Sequence, residues 1–136
     1  MTTNYVAGVE FKNRVIEYLQ AEGLPAKNPL DRRLSDLIGT PSAYTDVEGL
    51  GPWVIDVRTS ARGDISAALT HARDSARLAE SDWYVSIIGR RYHLLEDAFV
   101  VLPLRLMARI FAGHAPDPRP YLSGSGEQLG DWDTKR

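Results

Sequence analysis

The chain has 136 residues, a formal charge of −2, 43% apolar and 25% charged side chains, and no cysteine. That is one domain of ordinary globular composition, which excludes a disordered chain, a collagen-like chain and a bundle of membrane helices. The missing cysteines exclude a disulfide scaffold, a thiolate zinc site and a cysteine nucleophile. A net-acidic chain is also not a generic nucleic-acid coat, so any contact with DNA requires the positive charge to be gathered on one face.

Met1–Val9 lacks the basic and apolar segments of a signal peptide, and no apolar run approaches the ~20 residues that span a bilayer. The expectation is a cytoplasmic protein without membrane contact. Phe11, Val15, Ile16 and Leu19 recur at helical spacing and predict a helix over about 9–21, stopped by Gly23 and Pro25. Residues 24–33 carry two prolines and the pair Arg32-Arg33, and read as loop, with a short strand as the alternative. Residues 34–39 look like a short strand carrying Asp36, and 40–51 are polar and turn-rich. Trp53–Arg58 is the strongest strand signal, β-branched and apolar except at Asp56 and Arg58.

A helix follows over about 64–80, with Ile65, Leu69, Ala72, Ala76 and Ala79 as its core stripe. Residues 82–89 predict a second strong strand. Residues 90–97 are a connection or a strand extension, and 98–102 a third strand. Pro103 suits the first turn of a helix that runs to about Ala112 and stops at Gly113. Beyond this 1–113 domain, residues 114–136 form a polar, Pro/Gly-containing C-terminal tail. The order α, short β, β, α, β, β, α is that of an α/β fold, a central mixed β-sheet flanked by helices.

Neither familiar Gly-rich phosphate loop is present, and His71, His93 and His114 lack ligand-like spacing. His71 is expected beside the buried stripe of the second helix. The informative arrangement is Asp36 on one strand and Asp56-Val57-Arg58 on the next. Residues 56 and 58 point to the same face of a strand. Two carboxylates brought together suit Mg²⁺ or Mn²⁺, which activates water and neutralises charge on a phosphodiester. The plainer alternative is a solvated strand end carrying an ion pair.

The order of motifs from Gly8 to Gly113 resembles the phage-type Holliday junction resolvase-like members of the PD-(D/E)XK nuclease superfamily. Gly8-Val9-Glu10-Phe11-Lys12, Val15, Tyr18, Leu19 and Gly23 are similar to the family's first helix. Ser35-Asp36-Leu37-Ile38-Gly39 and Val54-Ile55-Asp56-Val57-Arg58 are similar to its two site strands. The Ala-rich helix Ile65–Ala79, the basic-ended strand Trp83–Arg91 and Ala98-Phe99-Val100-Val101-Leu102-Pro103-Leu104 follow in the family's order.

The resemblance implies a restriction-endonuclease-like core of order α-β-β-β-α-β-β-α. It further implies a Mg²⁺- or Mn²⁺-dependent endonuclease that hydrolyses branched or duplex DNA as a homodimer, in the host cytoplasm if phage-encoded. Asp36, Asp56 and Arg58 would be catalytic, and Asp36 and Asp56 the metal ligands. Arg32, Arg33, Arg58, Arg62, Arg90 and Arg91 would hold nucleic acid. Arg73 and Arg77 either join them or form the solvated side of the second helix, paired with Asp74 and Glu80.

Two positions depart from the family. Lys12 stands where a Glu is usual, which would place a cation near the metal. Arg58 replaces the catalytic Lys and stays protonated, so it holds phosphate but cannot transfer a proton. The competing expectation is therefore a catalytically inactive nuclease fold, acting as a DNA-structure binder or a host-protein-interaction factor.

Overall fold

The structure, a computed structural model, describes residues 2–29, 44–59, 64–90 and 92–118. Helix α1 spans Thr2–Ala21 and so begins well before the apolar spacing shows. It runs through Gly8, where a Cβ would meet open space; one glycine costs a helix only about 1 kcal/mol relative to Ala. Val15 and Ile16 are buried, and Phe11 and Leu19 half-buried. The helix closes as expected, with Gly23 at φ 91° and its N–H donating to the Gln20 carbonyl at 3.0 Å.

Strand β1 is Val54–Arg58, β2 is Tyr84–Ile88 and β3 is Phe99–Val101. The sheet order is β1-β2-β3, with β1 parallel to β2 and β2 antiparallel to β3. Helix α2, Ile65–Leu78, is the crossover that a parallel pair requires. Asp64 caps it by accepting the Ala67 N–H at 2.9 Å. Ala68, Ala72 and Ala76 are its buried line, and their small side chains let it approach the sheet closely. The predicted stripe needs two corrections: it left out Ala68, which is buried, and Ile65 is 40% exposed, because all of residues 64–67 lie outside the packed part of the helix.

Among the described residues between β2 and β3, Leu95–Asp97 form a 3₁₀ turn and none extends a strand. Strand β3 is shorter than 98–102 and lies at the sheet edge. Helix α3, Leu104–Phe111, starts directly after Pro103 and is followed by Gly113 at φ 80°. Residues 115–118 are half-buried, and Asp117 O stands 3.2 Å from where a Cβ on Gly51 would be.

Alternation along the strands divides the core in two. Val54 and Tyr84 pack with Ala72, Ala76 and Leu106 on one face. Ile55 and Val85 pack with Ile16, Ala26, Val47 and Leu50 on the other. Residues 44–50 run beside β1: the Asp46 N–H donates to Ile55 O at 2.9 Å, and the Ile55 N–H donates to Thr45 Oγ1 at 2.9 Å. Lys27 and Glu48 form an isolated antiparallel bridge. Gly49, at φ 96°, is required there, since a Cβ would collide with Pro25 O. Together the described residues make an α/β fold with a three-stranded mixed sheet and three α-helices. No helix among them is long and apolar enough to cross a membrane.

Candidate nucleic-acid interface

Asp56 faces the α2 side of β1 and is only 8% exposed. A buried carboxylate must be paired and hydrogen-bonded, and its partners come from three elements. Arg58, two residues along the same face, donates from Nε at 2.9 Å and from Nη2 at 3.4 Å. Ser86, its register partner on β2 and fully buried, donates from Oγ at 2.8 Å. His71 on α2 brings Nε2 to 3.7 Å of Asp56 Oδ1, an ion-pair distance when the ring is protonated but too long for a hydrogen bond.

A second carboxylate approaches from the segment beside β1. Asp46 Oδ2 accepts the Val57 N–H at 2.8 Å. Burial pushes the Asp46 carboxyl above its ordinary range, and the charge of Asp56 pushes the same way. The Val57 hydrogen bond and the charges of Lys12 and His71 pull it partly back. The Lys12 charge on α1 is thus within electrostatic reach of this carboxyl.

The acid that the described structure places near Asp56 is thus Asp46. Asp36, with Arg32, Arg33, Arg62 and Arg91, lies outside the described residues. Two carboxylates hold Mg²⁺ only in company with waters and substrate oxygens. The described residues contain no group of three or more His, Asp or Glu side chains that could hold a metal. Both Asp56 oxygens already face the Arg58 guanidinium, and Asp46 resists ionisation. The described donors do not by themselves fit a Mg²⁺ or Mn²⁺ site.

A different environment opens at the C-terminal ends of β1 and β2. The Gly89 N–H donates to Arg58 O at 2.8 Å, which fixes Thr59 and Gly89 side by side. Around them lies a cleft of about 170 Å³, walled by Phe11 and Arg14 of α1 and by Arg90 and His93 of the connection. Arg90 is held in place: its guanidinium stacks 4.4 Å over the Phe99 ring, and Nη1 donates to Asp97 O at 3.4 Å.

Of the expected phosphate-binding residues, Arg90 lines this cleft, whereas Arg58 is turned onto Asp56. Arg73 pairs with Asp74 at 3.6 Å while its Nε is buried, and Arg77 is exposed. Sequence reasoning missed Arg14, Asp46, Ser86 and the approach of His71. A lone serine inside the otherwise apolar and aromatic strand Tyr84-Val85-Ser86-Ile87-Ile88 was a signal for Ser86; nothing local marked Arg14 or Asp46.

No family model, no curated protein and no solved structure matches this chain. The nuclease resemblance rests on the motifs in the sequence.

Proposed function

We propose that the chain binds branched or duplex DNA through the cationic end of its sheet, as a nuclease-like fold whose carboxylate cluster stabilises the strand rather than cutting phosphodiesters. The observation that carries this reading is the meeting of Arg14 and Arg90 at the carboxyl ends of β1 and β2, in a protein of net charge −2. Carboxyl ends of parallel strands are where open α/β sheets take ligands. Guanidinium groups present planar donors that match phosphate oxygens.

The restriction-endonuclease-like core, a host-cytoplasm location and a homodimer belong to the same proposal. A second copy would find exposed apolar side chains at the sheet edge, where Phe99 is 44% and Val100 59% accessible.

Endonuclease activity is the second reading, and one observation favours it. The charge of Asp56 raises the Asp46 carboxyl, so the two acids lie within electrostatic reach of each other, and a Mg²⁺ or Mn²⁺ ion brought in with substrate oxygens would relieve that repulsion.

Incubating the protein with four-way-junction and duplex DNA in Mg²⁺ and in Mn²⁺, followed by native and denaturing gels, separates the readings. The expected result is retarded, uncut DNA. Cutting that Asp56→Asn abolishes would establish the endonuclease instead. Neither binding nor cutting at ~50 mM salt would reject both DNA readings and leave recognition of a host protein, because phosphate contacts are strongest at low salt.

A further inference from the structure

The cleft beside Gly89 has a composition that contact with duplex phosphates does not require. Its lining carries two guanidinium groups, Arg14 and Arg90. The same lining carries apolar side chains, Phe11, Leu94, Leu95 and Ala98, and Thr59. A phosphate lying on a surface calls only for the cations; the apolar side chains call for a ring or an aliphatic group on the same ligand.

Gly89 sets the depth of the cleft. A Cβ there would stand 2.8 Å from Thr59 O and 3.0 Å from the edge of the Phe11 ring. The glycine thus lets α1 lay an aromatic ring directly against the strand ends. Among the described residues no carboxylate pairs with the exposed Arg14, so its guanidinium is available to an incoming anion. Arg90 is already oriented by Phe99 and Asp97, so little of its freedom remains to be lost on binding. The volume of about 170 Å³ has room for one ring, with the rest of a ligand lying in the open mouth of the cleft. A cavity of about 150 Å³ already admits one benzene-sized ring, and a base pair is far larger.

We propose that this cleft binds a single unpaired nucleotide, its base against Phe11 and the leucines and its phosphate between Arg14 and Arg90. The proposal rests on the nucleic-acid reading of this end of the sheet and gives it a preference. DNA carrying an unpaired terminal nucleotide binds better than the same duplex with flush ends, because stacking on an aromatic side chain adds to the phosphate contacts.

The test uses the full chain and three sets of probes. The first is deoxythymidine monophosphate, with inorganic phosphate and thymidine as controls, titrated while amide shifts are followed by NMR. The second is a pair of fluorescent duplexes, one flush-ended and one with a single unpaired 3′ nucleotide, followed by anisotropy. The third repeats both with Arg14→Ala, an exposed substitution that leaves the core intact, and with Phe11→Leu.

The monophosphate is expected to shift the amides of Thr59, Gly89 and Arg90, and to bind more tightly than either control. Arg14→Ala should weaken it roughly tenfold, the loss of one charge-assisted hydrogen bond. Both variants should erase the preference for the unpaired end. If the monophosphate binds here but neither duplex does, the cleft takes the free nucleotide and the DNA reading falls. If both duplexes bind equally and the monophosphate does not, the cleft proposal is overturned while the DNA reading stands. If neither binds, both are overturned.

Discussion

Two regions meet at the end of β1 and treat charge in opposite ways. At Asp56 the charge is internal: a buried carboxylate is shared among Arg58, Ser86 and, at longer range, His71. One residue past Arg58, at Thr59, the cations Arg14 and Arg90 instead border open space. The difference teaches that the position of a charged residue on a strand does not decide its role. Arg58 carries the same guanidinium as Arg90, but its neighbour at the preceding same-face position consumes it. A cluster whose donors and acceptors already satisfy one another contributes mainly to stability, whereas one whose donors face outward has capacity left for a ligand.

The sharpest way to break this comparison is to remove the centre of the satisfied cluster. Asp56→Ala leaves a buried hydroxyl and a partly buried guanidinium without their acceptor. The expected cost is about 3 kcal/mol in urea unfolding, since losing one partner of a buried pair strands the other. Ser86→Ala removes one hydrogen bond to the carboxylate and should cost about 1.5 kcal/mol by the same measurement. Arg14→Ala, at the open region, should change stability by less than about 0.5 kcal/mol. Equal losses at Asp56 and Arg14 would contradict the division of labour.

Asp46 sharpens the comparison through pH. Burial raises its folded-state pKa above the ordinary carboxylate value of 3.8. The folded state therefore holds this proton more tightly than the unfolded state does. Its contribution to stability is fully present below 3.8 and is lost as pH rises through the raised folded value. Asp46→Asn keeps an acceptor for the Val57 N–H but removes the titration. Thermal melts from pH 3 upward should show the variant more stable than the parent at neutral pH, with the advantage vanishing in acid. An unchanged pH profile would remove Asp46 from the cluster.

How much of this was legible in the sequence depended on how local each feature is. Val54–Arg58 declared itself as a strand because β-branched side chains buried on both faces leave a continuous signal. The stops at Gly23 and Gly113 were legible because a positive φ there favours glycine. The line of Ala72 and Ala76 was legible from helical spacing, but the exposure of Ile65 was not, since it depends on where the sheet ends beneath the helix.

The site was legible at Asp56 and Arg58, a same-face pair two residues apart. Asp46 was not, because its approach follows from which segment lies beside β1, and residues 44–50 carry no strand pattern of their own. Arg14 was hidden for a similar reason. Only the packing of α1 against Gly89 makes its side of the helix the wall of a cleft.

The central claim is that the open cations, not the buried cluster, hold DNA. The most direct test is the salt dependence of duplex affinity for the parent, for Arg14→Ala with Arg90→Ala, and for Asp56→Asn. Log affinity should fall linearly with log salt concentration as counterions are released. The double arginine variant should lose about one unit of slope per lost phosphate contact, roughly two in all, whereas Asp56→Asn should keep the parent's slope. A slope unchanged by the two arginine substitutions, or one that flattens with Asp56→Asn, would contradict the account.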